Sequence, residues 1–286
     1  MKVSAAERLA VESGPSAWAR PRPPGTPQLN AAGALTDASP GVKPSHPVEI
    51  IRQARSRFGD RLALVSSFGA ESAVLLHLAA EVDPSIPVIF LETGMLFGQT
   101  LDHRRRLAER LGLTDVRDVR PDPAELAVHD PKGLLHRTDV DGCCRMRKVL
   151  PLARALDGFD AWITGRKRFQ GGDRLRLPVE EVDVDGRTKF NPLADWTKAD
   201  VDAYAAEHAL PAHPLTAQGY PSIGCWPCTR PVDEGEDARA GRWSGLEKTE
   251  CGIHVAGAAL VGSIPGGARH SPADPAARQV AMDDDN

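Results

Sequence analysis

The sequence lacks the long apolar runs that mark membrane proteins. No uninterrupted hydrophobic stretch approaches the roughly 18 to 20 residues that a membrane-spanning helix needs, and the first residues contain no continuous apolar segment of the signal-peptide type. We therefore expect no membrane partner and a cytoplasmic location.

The chain also lacks an excess of positive charge. Its 35 Lys and Arg residues are outnumbered by 39 Asp and Glu residues, which gives a formal net charge of −4. A surface built throughout to bind nucleic acid would be basic, so we expect no nucleic-acid partner. A local basic cleft is still compatible with this balance of charge.

Cysteines are few, and their number is odd. They form an adjacent pair (Cys143 and Cys144), a CxxC pair (Cys225 and Cys228) and a lone residue, Cys251. A disulfide framework fits this grouping poorly, and in a reducing compartment such clusters more often indicate metal or redox chemistry.

The two ends of the chain differ in composition from its centre. Residues 1–45 are rich in Pro, Gly, Ala and Ser, and residues 256–286 are rich in small residues and end in an acidic run. Such segments predict disordered extensions. Between them we expect an α/β domain over 46–235 and a mobile segment over 236–255, which contains Cys251. The sequence leaves homo-oligomer formation open.

Short apolar runs alternate with segments of helical period inside this body. Strands are predicted at 62–67, 88–93, 115–119 and 161–165, and helices at 73–82, through Leu101 to Leu111, and from about Cys144 to Leu156. This alternation is typical of an α/β fold with a parallel twisted sheet flanked by helices. Ligands of such folds bind beyond the carboxyl ends of the strands.

Small and hydroxylated residues follow the first two strands at this edge. The turn after the first strand has a composition that suits a phosphate, and an ordinary serine-capped turn explains it equally well. The second strand ends where backbone groups border a nucleotide base, although an ordinary glycine-ended loop is the commoner explanation. The candidate substrate-binding residues are Ser66, Ser67, Gly69, Ala70, Glu71 and Ser72 in the first turn, and Leu91, Thr93 and Gly94 in the second.

The two cysteine pairs can converge on one centre from remote loops. Zinc accepts four cysteines, but its sites normally use spaced pairs on both sides, whereas here two ligands are adjacent. An iron–sulfur cluster, with separate iron corners, accommodates adjacent ligands better. Four unligated buried cysteines are the plainer alternative.

Basic residues gather near these same motifs. Arginine forms forked hydrogen bonds with phosphate or sulfate, and lysine supplies a point charge, so an anionic substrate is indicated, although solvated helix faces also contain such runs. The clusters are Arg145, Arg147 and Lys148; Arg166, Lys167 and Arg168; and Arg239 and Arg242.

Taken in order, the segments SSFGAES, LETG, CCRMRK, TGRKRFQ, NPLADW, HPLTAQGYPSIGCWPCT and ECGIHV resemble the assimilatory adenylyl-sulfate and phosphoadenylyl-sulfate reductase family. The resemblance spans nearly all of the folded body, and it implies an adenine-nucleotide α-hydrolase-like fold. Glu92 and Lys167 depart from the family, which usually has Asp and Arg at these positions. Lys167 cannot form the bidentate contact with an anion that an arginine at this position would form.

The resemblance also implies roles for individual residues. Cys143, Cys144, Cys225 and Cys228 would hold a 4Fe-4S cluster, and Lys148 would link cluster and substrate. Cys251 would be the nucleophile, with His254, Arg239 and Arg242 engaging the phosphosulfate beside Arg166 and Arg168 of the basic run.

The implied activity is thioredoxin-dependent reduction of adenosine 5'-phosphosulfate to sulfite and AMP, through an S-sulfocysteine. The alternatives are a phosphoadenylyl-sulfate reductase, an ATP-dependent pyrophosphatase that thiolates tRNA, and a zinc-stabilised binding module. Phe68 and Glu71 count against ATP chemistry, because the pyrophosphatase loop has Gly and Asp there.

Overall fold

The computed structural model describes residues 46–183 and 185–254. The predicted extensions at 1–45 and 256–286 lie outside the described residues. Six strands form one sheet: β1 Leu62–Val65, β2 Val88–Leu91, β3 Val116–Val119, β4 Ala161–Ile163, β5 Glu180–Val182 and β6 Thr188–Phe190.

The order of strands across the sheet is β3-β2-β1-β4-β6-β5. All neighbours pair in parallel except β5 and β6, which pair antiparallel at one edge. The chain leaves β1 towards β2 and β3 and then returns to place β4 on the other side of β1. The carboxyl ends of β1 and β4 therefore form a topological switch point, where ligands of open α/β sheets bind.

The helices begin and end at sequence signals. Proline occupies the first turn of two of them, as Pro47 and Pro123, where its missing N–H costs nothing. Thr197 and Asp200 form a capping box at the start of the last helix. The helices are α1 Pro47–Phe58, α2 Ser72–Val82, α3 Gly98–Arg110, α4 Pro123–His129, α5 Leu135–Thr138, α6 Val140–Cys144, α7 Leu150–Ala155 and α8 Lys198–Glu207.

Hydrophobic cores cover both faces of the sheet. Leu62 and Leu64 of β1 face a cluster that includes residues of α1 and α2, whereas Ala63 and Val65 face a second cluster that includes Leu152 of α7. Strands buried on both faces are apolar at every position rather than at alternate ones. This explains why β1 and β2 are continuous apolar runs.

The predicted fold class is confirmed, with two differences in detail. The hairpin of β5 and β6 was not predicted, because strands of three residues that include charged side chains give no apolar run. The helix expected from about Cys144 begins earlier, at Val140, and α6 is followed by a π-helical turn over Arg145–Val149.

Candidate active site

A cleft of about 210 Å³ lies at the carboxyl ends of β1, β2 and β4. Most of the predicted site residues line it, and the C-terminal segment closes one side of it. The predicted residues found there are Ser66, Ser67, Gly69, Ala70, Glu71, Ser72, Leu91, Lys148, Arg166, Arg239, Arg242, Cys251 and His254.

The turn after β1 lies at the N-terminus of α2, as predicted for a phosphate loop. Phe68 adopts a left-handed backbone (φ 48°) within this turn, and its amide donates to Ser66 Oγ at 3.2 Å. The Phe68 ring is buried against Phe90 with the ring centroids 5.4 Å apart. This packing aims the side chain into the core, so that the other residues of the turn line the cleft and Phe68 does not.

Most of the cationic side chains in the cleft are already paired with carboxylates. Lys167 Nζ lies 2.9 Å from Glu71, Arg166 pairs with Glu181, and Glu250 pairs with Arg174 and Arg239. Burial lowers the pKa values of Arg166, Lys167 and Arg239.

Lys148 and Arg242 form no ion pair with a carboxylate among the described residues, yet both line the cleft. Burial acts to lower the pKa of Lys148, but the neighbouring thiols of Cys225 and Cys251 raise it above its usual value overall. The Arg242 guanidinium lies 4.4 Å from the centroid of the Trp243 ring. These two cations are therefore available to an incoming anion.

Three predicted substrate-binding residues do not line the cleft. Arg168 pairs with Asp195 and donates to the carbonyl oxygen of Leu177. Thr93 Oγ1 lies 3.3 Å from the sulfur of Cys225, and Gly94 turns the chain beside Thr93 with a φ of 72°. The structure thus places Thr93 and Gly94 beside the cysteines rather than in the cleft.

Arg147 also differs from the expectation of an anion-binding arginine. Its guanidinium lies 2.7 Å from Asp130 in a buried ion pair and donates to the carbonyl oxygen of Thr93 at 2.9 Å. Asp130 in turn accepts from the amide of Leu135. Arg147 therefore fixes the loop after β2 to the segment before α5.

The four clustered cysteines converge on a small void beside the cleft. Cys143 and Cys144 come from α6. Cys225 directly precedes the 3₁₀ turn Trp226–Cys228, and Cys228 is the last residue of that turn. The amide of Trp226 donates to the carbonyl oxygen of Met95 at 2.9 Å, which attaches this turn to the segment after β2. The predicted convergence of the two pairs is present in the fold.

The donor set of the four cysteines fits two kinds of centre. All four line one void, and both zinc and iron–sulfur clusters accept four thiolates. Adjacent ligands such as Cys143 and Cys144 suit the separate iron corners of a cluster better than a single zinc ion. Among the described residues, the ligand atoms of His77, Glu81 and His208 also lie within 4.8 Å of one another, but these residues are not part of the cleft.

The clustered thiols are largely buried and have cations nearby. Burial raises the pKa of the Cys143 thiol to about 12 and that of Cys144 to about 11. Burial likewise raises the pKa of Cys228. Without a metal these thiols therefore stay protonated, and a metal centre would bind them as thiolates and release their protons. Arg147 near Cys143, and Lys148 and Lys248 near Cys144, suit the negative charge of such a centre.

The π-helical turn places Lys148 between the cleft and the cysteines. The amide of Leu150 donates to the carbonyl oxygen of Arg145, five residues earlier. Pro151, the next residue, has no amide hydrogen and disturbs the regular ladder of an α-helix. The wider turn leaves Lys148 lining both the cleft and the void between the cysteines, and π-turns occur often at functional sites.

The C-terminal segment is docked in the cleft around Cys251. Before Cys251, Glu250 contacts Arg174 through both carboxylate oxygens, at 2.6 and 2.9 Å. After it, Ile253 packs against the second hydrophobic cluster, the one that includes Leu152 of α7. The His254 ring stacks on Trp162 with an interplanar angle of 5°. Cys251 is held between these contacts.

His254 is neutral in this environment. Burial, followed by the positive charge of Arg166, Arg174, Lys189 and Arg239, holds its pKa well below the usual value of 6.5. Its Nδ1 is buried and has no hydrogen-bond partner among the described residues. The positive charge around Cys251 therefore comes from lysine and arginine side chains and not from His254.

Several residues that line the cleft were missed by the sequence prediction. Gln170 and Arg174 follow the basic run after β4. The charged residues of the stretch 172–176, which includes Arg174, could have been added to the candidate anion-binding residues. Ser222, Ile223 and Gly224 directly precede the CxxC pair, and Trp243 follows Arg242. These residue types are not specific to anion binding or thiol chemistry. Their closeness in sequence to the CxxC pair and to Arg242 was therefore the signal that could have identified them.

Fold and cleft together define a class of protein. It is a mainly parallel α/β protein with a cleft at the switch point of its sheet, lined by several cationic side chains and by a cysteine of the C-terminal segment. Within the part of the chain that the structure describes, no helix has the length and apolar character needed to cross a membrane.

Comparison with known proteins agrees with this class. Residues 61–231 match the family described as phosphoadenosine phosphosulfate reductase domain. An adenosine 5'-phosphosulfate reductase of Mesorhizobium japonicum is 56% identical over 212 residues, covering 74% of this chain and 83% of that protein. A phosphoadenosine 5'-phosphosulfate reductase of Gloeobacter violaceus is 44% identical over 215 residues, covering 73% and 88%.

A solved structure is also similar. The phosphoadenylyl-sulfate reductase of Candida auris, crystallised as a phosphate complex, matches with a TM-score of 0.55 and 32% identity, covering 63% of this chain and 88% of that one. The chain therefore belongs to the phosphoadenosine phosphosulfate reductase family.

Proposed function

We propose that this chain reduces adenosine 5'-phosphosulfate to sulfite and AMP in sulfate assimilation. The observation that carries the proposal is the position of Cys251. It lines the same cleft as the turn after β1 and the cations Lys148 and Arg242. A nucleophilic sulfur, a phosphate-type loop and unpaired positive charge thus face one space. The relatives named as adenosine 5'-phosphosulfate reductases support the choice of substrate.

The reaction begins with the Cys251 thiolate attacking the sulfur atom of the bound phosphosulfate. A new S–S bond forms, the bond between that sulfur and the bridging phosphate oxygen breaks, and AMP leaves with the electron pair. An S-sulfocysteine remains on Cys251. Lys148 and Arg242 would stabilise the negative charge that develops on the phosphate, because they are the cleft cations without a carboxylate partner.

A dithiol protein, for which we propose thioredoxin, completes the cycle. One of its thiolates attacks the Cys251 sulfur, sulfite departs with the electron pair of the broken S–S bond, and a mixed disulfide forms. The second thiol of the partner then displaces Cys251 as a thiolate. The two electrons in sulfite come from the partner, which leaves as a disulfide.

We propose that Cys143, Cys144, Cys225 and Cys228 hold a 4Fe-4S cluster. Their convergence on one void, the adjacency of Cys143 and Cys144, and the cations around them support this choice. When bound, the cluster would tie α6 to the turn at 226–228 and add its charge to the potential at Lys148. The five free cysteines also favour a reducing compartment, and we propose the cytoplasm.

The 3'-phosphorylated substrate is the second candidate. The relative from Gloeobacter violaceus, at 44% identity, and the solved structure from Candida auris are both named as reductases of that compound. The two substrates share the reacting phosphosulfate, so the roles proposed for Cys251 and Lys148 apply to either.

The test measures sulfite release by anaerobically purified, cluster-loaded protein with reduced thioredoxin and each substrate in turn. We expect release from adenosine 5'-phosphosulfate by the wild type and none by Cys251→Ser. Cys251→Ser should keep the iron content of the wild type, whereas Cys225→Ser should lose iron. Failure of the loaded wild type to release sulfite from either substrate would overturn the proposal.

A further inference from the structure

Glu250 makes a forked polar contact between the C-terminal segment and the body of the protein. Its two carboxylate oxygens accept from Nε and Nη2 of Arg174, at 2.6 and 2.9 Å, and both side chains are largely buried. Arg239 adds a longer contact to Glu250 at 3.4 Å and donates to the carbonyl oxygen of Thr249 at 2.6 Å. Forked arginine–carboxylate pairs fix orientation as well as distance.

The pair lies directly beside the reactive sulfur in the chain. Glu250 precedes Cys251, and Gly252 follows it with a left-handed φ of 89°, which reverses the chain towards Ile253 and His254. Those two residues contact the core and Trp162. Cys251 therefore lies in a short bend with a polar anchor before it and an apolar anchor after it.

Both anchors attach to β4 or to the chain that follows it. Trp162 belongs to β4, and Arg174 belongs to the 3₁₀ turn Gly172–Arg176. The Trp162 ring is itself fixed, since its Nε1 donates to Asp183 at 2.9 Å. The segment that presents Cys251 is thus held by β4 and by the chain that follows it, through Trp162 and Arg174.

We propose that Arg174 is a positioning residue that holds Cys251 in the cleft through Glu250. Arg174 lines the cleft and would otherwise be assigned to substrate binding, but its guanidinium is occupied by the carboxylate next to Cys251. The proposal rests on the proposed function for the identity of the reaction. Its structural content, the retention of Cys251 in the cleft, is independent of that reaction.

The first test measures how fast iodoacetamide alkylates Cys251 in cluster-loaded protein without substrate, by mass spectrometry of the peptide. Glu250→Gln and Arg174→Gln should each accelerate alkylation roughly tenfold, because either change removes a charge-assisted contact that holds the segment. The double variant should react no faster than the single ones, since both remove one interaction. Glu247→Gln and Arg176→Gln, at exposed positions of the same two segments, are matched controls and should react as the wild type does.

The second test separates positioning from substrate binding in steady-state kinetics. A positioning role predicts that both variants lower kcat roughly tenfold, while KM for the phosphosulfate changes by less than about threefold. A rise in KM without a loss of kcat in Arg174→Gln alone would show that Arg174 binds substrate instead. Alkylation rates unchanged from the wild type, or additive in the double variant, would also overturn the proposal.

The two tests keep this inference apart from the proposed function. If the wild type releases no sulfite but the alkylation rates follow the expected pattern, the function is wrong and the positioning role stands. If sulfite is released normally by Glu250→Gln, the function stands and the positioning role is wrong.

Discussion

A single methyl group at Gly224 should lower the activity of the enzyme by displacing Arg242. A Cβ at position 224 would lie 2.3 Å from Nη2 and 2.5 Å from Cζ of Arg242, far inside the ordinary contact range of 3.4 to 4 Å. The φ of Gly224 is outside the left-handed region, so alanine introduces no backbone strain. The steric conflict is therefore confined to the guanidinium, which must move by roughly 1 Å, a displacement large enough to disturb catalysis.

The expected size of the effect follows from the role of Arg242. A hydrogen bond to a charged group contributes about 1.5 to 3 kcal/mol, so losing the contact proposed between Arg242 and the phosphosulfate should lower kcat/KM roughly ten- to a hundredfold. The thermal midpoint should change little, because the clash involves the mobile end of a side chain. Iron content and visible absorbance should match the wild type, which would show that the adjacent Cys225 is undisturbed.

Two further variants identify the cause. Gly98→Ala is the matched control, because a Cβ there meets nothing within 4 Å, and it should keep full activity. In an Arg242→Met background, Gly224→Ala should have no additional effect. Wild-type kcat/KM in Gly224→Ala, or a further loss in the Arg242→Met background, would refute the reasoning.

The remaining predictions concern stability. Burial, followed by the charge of His103, lowers the pKa of His213 from 6.5 to about 4. Its Nδ1 accepts from the amide of Leu215 at 3.2 Å, and its Nε2 lies 3.0 Å from Thr100 Oγ1, so protonation opposes the observed bonds. Because the folded-state pKa is depressed, stability is lost as pH falls from about 6.5 towards 4. Protonation of His213 should therefore lower the free energy of unfolding by about 2 kcal/mol between pH 7.5 and pH 5. Chemical denaturation of His213→Asn should show a smaller loss over that range, and an equal loss would contradict the assignment. Arg147→Met leaves buried Asp130 unpaired and should cost about 3 to 5 kcal/mol, whereas Arg147→Met with Asp130→Asn should cost less. Denaturation midpoints decide this, and an unaffected single variant would show that the pair is not structural.

The strands and the anion loop were predictable because their signals are local. β1 and β2 are continuous apolar runs, and the small residues 66–72 follow β1 directly. An apolar strand buried on both faces needs no knowledge of its neighbours to be recognised. The placement of the loop at the edge of the cleft then follows from the general behaviour of parallel sheets.

The pairing of charges was not predictable from the sequence. One basic stretch contains Arg166, Arg168 and Arg174. In the fold each of them forms an ion pair with a different carboxylate: Arg166 with Glu181, Arg168 with Asp195 and Arg174 with Glu250. Each partner comes from a different part of the chain. Composition shows that cations are present, whereas only the three-dimensional arrangement shows which of them are already neutralised.

The π-helical turn after Cys144 illustrates a different limit. Pro151 indicates a disturbance in the helix, but nothing local distinguishes a kink or a break from a π-turn. The choice matters for function, since a regular α-helix would rotate Lys148 relative to the cysteines. The outcome depends on how α6 and α7 pack, which sequence periodicity does not contain.

The charges in the cleft connect the anion site to the cysteine centre. Lys148, Arg242 and Trp243 line both the cleft and the void among the four cysteines. Lys148 and Arg242 are also the cleft cations that lack a carboxylate partner among the described residues. The same two positive charges therefore face the cleft on one side and the four cysteines on the other. Neutralising either one removes positive charge from both sites at once, so a loss of activity in such a variant must be read together with its iron content.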